Sequence, residues 1–209
     1  MTLLKICGLT RAEDVELVDK VAEYAGFIVD PTTGSPRRIR PEEARELASV
    51  LGRARAVAVF DKLSAREAVE LARRYDFSVA QIPDRVDEEL ADEASGVGVR
   101  VAPVALYGRD DVVAEVGRLT KLGAEYVLVD AVKGSELRYR YGLKLPWDLI
   151  ERVVGMGKVA LAGGINADNV AHLLALNPYM VDVASGVESA PGVKDRDLVM
   201  ALARRLRKI

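Results

Sequence analysis

Reactive side chains are scarce in this chain: its 209 residues include one cysteine and one histidine. A single cysteine excludes an internal disulfide, and Met1-Thr2 passes directly into a short apolar run instead of a charged-then-apolar leader; together these point to a cytoplasmic protein. The strand ends lack the histidine and carboxylate set that a catalytic metal needs, so no metal site is expected. Long apolar runs are missing too. None approaches the ~18 residues of a membrane-crossing helix, so no membrane partner is expected. Neither sign of charge is in excess: 30 basic and 32 acidic side chains, spread along the whole length, leave a net charge of -2 and no basic stripe for nucleic acid. Arginine outnumbers lysine, which is compatible with a heat-adapted source.

Apolar residues, at 50%, are plentiful enough to bury a substantial core as one domain over residues 1–209. Short apolar runs fall at 3–7, 24–29, 54–60, 77–82, 99–104, 126–130, 158–162 and 180–184. Each is followed by an amphipathic segment with helical spacing, such as Ala65-Arg66-Glu67-Ala68-Val69-Glu70-Leu71. Strands with few polar positions, separated by helices, make a parallel sheet covered on its outer face. Eight such units with right-handed crossovers close into a single-domain α/β fold, the (β/α)8 TIM barrel. An open doubly wound sheet is the alternative. It is disfavoured because the first strand lacks a Gly-x-Gly-x-x-Gly turn and eight even repeats leave no segment for a second lobe. The fourth helix is the hardest to place, since 84–94 is heavily acidic and suits a short or irregular helix.

The only cysteine lies in Lys5-Ile6-Cys7-Gly8-Leu9-Thr10, at the carboxyl end of the first strand, with Thr10, Glu13 and Asp14 reading as a helix start. Strand alternation puts Leu3, Lys5 and Cys7 on one face, expected to be the lumen, and Leu4 and Ile6 on the other. In the sixth strand Tyr126, Leu128 and Asp130 share a face, so Asp130 ends that strand as Cys7 ends the first. Each has a bland counterpart: Cys7 as a small buried hydrophobe, Asp130 as a turn cap. Parallel α/β barrels keep their chemistry at the carboxyl ends of the strands, which favours the functional reading when both are taken together. Gly163 and Gly164 follow the seventh strand, and Ser185 and Gly186 the eighth. Small residues in those two loops let backbone N–H groups approach an anion, aided by a nearby helix start, and point to a small phosphorylated substrate. The long loop after the second strand carries Arg37, Arg38 and Arg40; a guanidinium suits a carboxylate or phosphate, and Arg38 and Arg40 are read as solvated.

Nearly the whole chain resembles one family, the phosphoribosylanthranilate isomerases of tryptophan biosynthesis. The resemblance is carried by Lys5-Ile6-Cys7-Gly8-Leu9-Thr10, Ser35-Pro36-Arg37 and Leu161-Ala162-Gly163-Gly164-Ile165, and by Asp182-Val183-Ala184-Ser185-Gly186-Val187-Glu188 with Pro191-Gly192-Val193-Lys194-Asp195. It implies a cofactor-free Amadori rearrangement of N-(5-phosphoribosyl)anthranilate, with Cys7 as general base, Asp130 as general acid and Arg37 as ligand of the anthranilate carboxylate. Three electrostatic expectations follow. Lys5 reaches toward Asp182, because strand eight closes beside strand one; Lys5 helps lower the Cys7 pKa; and the site raises that of Asp130, which must carry a proton to act as an acid.

The sequence departs from the family pattern in two places. The fourth strand ends Gln81-Ile82-Pro83-Asp84 where the family usually has Gln-Leu-His-Gly, and the segment 133–147 replaces a loop rich in glycine and threonine. His172 falls in the seventh helix and is read as structural or surface. Two other functions remain in view: an isomerase or epimerase for another sugar phosphate, and a non-catalytic phosphate-binding barrel. Monomer and homodimer are both compatible with the sequence.

Overall fold

The computed structural model describes residues 1–134 and 136–207; Ser135, Lys208 and Ile209 lie outside the described residues. Eight parallel strands close into a barrel in chain order: β1 (Leu3–Cys7), β2 (Tyr24–Ile28), β3 (Arg55–Val59), β4 (Val79–Ile82), β5 (Arg100–Tyr107), β6 (Val127–Ala131), β7 (Val159–Leu161) and β8 (Met180–Val183). β8 returns to pair with β1, setting Lys5 opposite Asp182. The apolar runs of the sequence locate these strands to within a residue or two, except that β5 continues to Tyr107.

Around the barrel lie α1 (Ala12–Asp19), α2 (Pro41–Ala48), α3 (Ala65–Arg74), α4 (Glu88–Gly96), α5 (Val112–Leu119), α6 (Trp147–Val153), α7 (Val170–Leu174) and α8 (Arg196–Arg205). The acidic fourth segment forms a regular nine-residue helix, because the Asp87 carboxylate accepts the Leu90 N–H at 3.0 Å and so caps it. α1 starts later than the sequence suggests, at Ala12. Thr10 does not cap it; its hydroxyl donates to the Gly192 carbonyl at 2.6 Å and ties the first loop to the last. A short antiparallel hairpin, β9 (Glu188–Ala190) and β10 (Val193–Lys194), separates β8 from α8.

Alternation along the strands divides the core in two. Leu4, Ile6, Val127 and Val129 face the helices, whereas Cys7, Tyr126 and Leu128 face the lumen. At the amino-terminal end of the barrel, Tyr24 donates to Glu125 at 2.6 Å, Arg55 also bonds Glu125, and the Tyr24 and Tyr126 rings meet edge to face at 5.4 Å. This closes the floor and leaves the opposite end to the βα loops.

Candidate active site

At the carboxyl ends of the strands lies a cavity of about 320 Å³, with Cys7, Arg37 and Asp130 among its lining residues. Gly163, Gly164, Ser185 and Gly186 line it as well, as does Asp182, so most of the residues singled out in the sequence converge there. Lys5 lies beneath, fully buried in the lumen.

Cys7 is buried, and β2 makes room for it: a Cβ at Gly26 would stand 2.8 Å from the Cys7 Sγ. Burial pushes the thiol pKa up, and the ammonium groups of Lys5 and Lys194 oppose that push without overcoming it, while Asp182 adds to it. Lys5 acts on the thiol in the expected direction, but desolvation is larger, so the net shift is upward instead of downward. Lys5 Nζ donates to Asp182 Oδ2 at 2.6 Å, the contact anticipated from barrel closure. Burial pulls the Lys5 ammonium pKa down, but Asp182 together with other lumen groups more than offsets it, so Lys5 stays charged. Asp182 Oδ1 has no hydrogen-bond partner among the described residues.

Asp130 opens on the same cavity. Burial pushes its carboxyl up to about 6, with a smaller upward contribution from Asp182, against the Ala131 N–H at 2.7 Å and the Lys144 and Lys5 charges. Gly163 permits this arrangement, because a Cβ there would come within 3.1 Å of Asp130 Oδ1 and 3.0 Å of the Lys144 Cβ.

Arg37 reaches the cavity across Gly8, where φ is +78° and a Cβ would lie 2.5 Å from the Arg37 Cδ. The guanidinium is already forked onto a protein carboxylate. Nε donates to both Glu188 oxygens at 2.9 and 3.0 Å, and Nη2 donates to Oε2 at 2.6 Å. Glu188 also accepts from Lys194 Nζ at 2.7 Å, and Lys194 in turn donates to the Cys7 carbonyl at 2.6 Å. Neither Glu188 nor Lys194 stands out in the sequence as a site residue. The legible signal was the Pro191-Gly192 turn, since an antiparallel hairpin about it sets Lys194 opposite Glu188.

The loops after β7 and β8 interlock. Gly186 packs so closely on the Ile165 carbonyl that a Cβ would stand 1.9 Å from that oxygen, and Gly163 and Gly164 both adopt positive φ. The helix contribution differs from expectation: α7 begins only at Val170 and has five residues, and Ser185 opens a single 3-10 turn, Ser185–Val187. An anion here meets loop N–H groups more than a helix dipole.

The departures from the family pattern take part in the rim. Pro83 lines the cavity, and its carbonyl accepts from Arg109 at 2.9 Å. Beyond β6, Lys133 crosses the mouth to Asp61 at 2.5 Å, where the Thr33 hydroxyl also donates at 2.6 Å. Farther along, Tyr141 stacks on His172 at 3.6 Å between ring centroids, giving the only histidine a structural contact outside the cavity.

Fold and site together define a (β/α)8 barrel whose open end carries groups suited to proton transfer and to binding an anion. Residues 4–205 match the family model described as N-(5'phosphoribosyl)anthranilate (PRA) isomerase. An N-(5'-phosphoribosyl)anthranilate isomerase of Pyrobaculum islandicum is 48% identical, with 99% of each chain covered. One of Pyrobaculum aerophilum is 45% identical, with 100% of each chain covered. Among solved structures, phosphoribosyl anthranilate isomerase from Thermus thermophilus superposes with a TM-score of 0.81 at 34% identity, covering 99% of this chain and 98% of that one. The chain belongs to the N-(5'-phosphoribosyl)anthranilate isomerase family.

Proposed function

We propose that Cys7 and Asp130 are the base and the acid of the family reaction in this chain. That reaction is the Amadori rearrangement of N-(5-phosphoribosyl)anthranilate to 1-(2-carboxyphenylamino)-1-deoxyribulose 5-phosphate, and the chain, an intramolecular aldose–ketose isomerase, catalyses it in tryptophan biosynthesis. Neutral Asp130 gives its proton to the ribose ring oxygen as the bond from that oxygen to C1 breaks, and the anthranilate nitrogen lone pair forms the C=N bond. The Cys7 thiolate then takes the proton from C2. The released electron pair forms a C1=C2 bond, the iminium nitrogen becomes a neutral amine, and the enol tautomerises to the ketone.

The observation that carries this reading is an acid held protonated to about pH 6 at the end of β6, opening on the same cavity as the thiol at the end of β1. Arg37 supports it as the anthranilate carboxylate ligand: Nε and Nη2 are fixed by Glu188, and Nη1 has no hydrogen bond among the described residues. Gly163, Gly164, Ser185 and Gly186 are assigned to the phosphate, which the interlocked glycine loops suit. Lys5 and Asp182 are assigned to the ribose floor, where Asp182 Oδ1 is a spare acceptor for a sugar hydroxyl.

The test follows the fluorescence of freshly generated N-(5-phosphoribosyl)anthranilate with the parent, Cys7→Ala and Asp130→Asn, each first shown to be folded. Rapid loss of signal with the parent and near-abolition in both variants is expected. Substantial turnover by either variant removes that residue's role.

A further inference from the structure

If Cys7 is the base, something must offset the burial that disfavours its thiolate. Groups that act on the thiol or respond to it come from several elements: Lys5 on β1, Asp182 on β8, Lys194 on β10, Arg37 in the loop after β2, and Tyr126 just before β6. Lys5 favours the thiolate by its charge and by a hydrogen bond, and Asp182, its ion-pair partner, cancels part of that charge. The hairpin differs. Glu188 is shared between Arg37 and Lys194, and Asp14 on α1, which accepts the Lys194 N–H at 3.0 Å, is faced by Arg11 at 4.0 Å, so three cations and two carboxylates leave a net positive charge beside the end of β1.

Lys194 is fully buried, and its ammonium has three acceptors: the Cys7 carbonyl at 2.6 Å, Glu188 Oε1 at 2.7 Å and the Ala184 carbonyl at 3.4 Å. All three protons are therefore engaged, and the group is locked in place. Two of the acceptors are backbone carbonyls at the ends of β1 and β8, the two strands that carry Cys7 and Asp182. A lysine whose role was confined to the hairpin would not need to reach the Cys7 carbonyl.

We propose that Lys194 is the positioning residue for the Cys7 base: by binding the Cys7 carbonyl to the β9–β10 hairpin it fixes the direction of the thiol and supplies the net positive charge that favours thiolate. This deepens the acid–base reading above and rests on Cys7 being the base. Glu188 holds Lys194 and Arg37 at once, so the hairpin sets the base and the proposed anthranilate ligand in one geometry.

The experiment measures alkylation of the single cysteine by iodoacetamide against pH, alongside the pH dependence of kcat/KM, in the parent, Lys194→Gln, Lys194→Met and Lys194→Arg. Both neutral variants are expected to raise the alkylation midpoint and the alkaline-side limb of kcat/KM by about one pH unit and to lower the kcat/KM plateau about tenfold, which matches about tenfold less thiolate at a fixed pH below the midpoint. Lys194→Arg keeps the charge and is expected to leave both near the parental values. Two neutral replacements of different polarity guard against a folding failure in either, monitored by thermal melting. An unmoved midpoint in a folded neutral variant overturns the proposal, and so does an equal shift in Lys194→Arg. Parental turnover by Cys7→Ala overturns the underlying base assignment, and alkylation, which needs no turnover, tells that failure apart from the first.

Discussion

Lys5 Nζ and Asp182 Oδ2 lie 2.6 Å apart inside the lumen, at the position where β1 and β8 pair to close the barrel. A buried pair of this kind is a weak source of stability as a pair, but removing one partner leaves the other charged and desolvated. Lys5→Met or Asp182→Leu alone should therefore cost about 3–5 kcal/mol in urea denaturation, and the double variant should recover most of that loss. Additive losses would show that the two side chains are energetically independent.

Asp130 gives the pH dependence a sign. Its folded-state pKa, about 6, is raised from an ordinary value of 3.8. The native state therefore prefers the proton, so the relative stability that Asp130 contributes is fully present below about pH 4 and is lost as pH rises to about 6. Asp130→Asn should accordingly gain on the parent across that window, by about 3 kcal/mol at neutral pH in paired urea titrations. Because the Cys7 pKa lies above that of Asp130, the active form, thiolate with protonated carboxyl, is a minor one, so the parental kcat/KM should rise to a plateau with an acid-side midpoint near 6, and Asp130→Asn should lack that break.

Gly26→Ala tests the space reserved for the thiol. The new methyl would stand 2.8 Å from Cys7 Sγ and 3.1 Å from the Cys7 Cα, so the end of β1 has to move. Overpacking of this kind costs about 1–3 kcal/mol, and a misplaced base should lower kcat by about a hundredfold while thermal melting still shows a cooperative transition.

Gly186→Ala probes the anion loops. With the Ile165 carbonyl only 1.9 Å from the added carbon, the loops after β7 and β8 must separate. KM for the phosphorylated substrate should rise at least tenfold, by loss of about 1.4 kcal/mol or more of binding, and inhibition by inorganic phosphate should weaken in parallel. Unchanged phosphate inhibition would place the anion elsewhere.

Much of this architecture is legible in the sequence because it follows from short-range geometry. The pleat alone sorts Lys5 and Cys7 from Leu4 and Ile6, and barrel closure alone brings Asp182 to Lys5. What escapes are relationships that depend on folded distance or on degree of burial. Arg37 and Glu188 are 151 residues apart, and no local pattern in the second loop announces that its arginine meets an internal carboxylate. The net direction of the Cys7 shift depends on how far burial outweighs two lysines, a balance of magnitudes that residue types do not specify. α4 was obscured for a simpler reason: its acidic composition hid the single capping carboxylate, Asp87, that makes the helix regular.

The contacts of the β9–β10 hairpin also bear on how the protein is made. Cys7 and Lys194 are separated by 187 positions, so at ordinary ribosomal speeds of about 5–20 residues per second they are synthesised roughly ten to forty seconds apart. Until Lys194 is translated, the nascent chain has its thiol and the neighbouring Lys5 but not the ammonium that joins the Cys7 carbonyl to Glu188. The strand that carries Cys7 is therefore in the chain long before the hairpin proposed to anchor it, and that anchor can form only after β8 has been made.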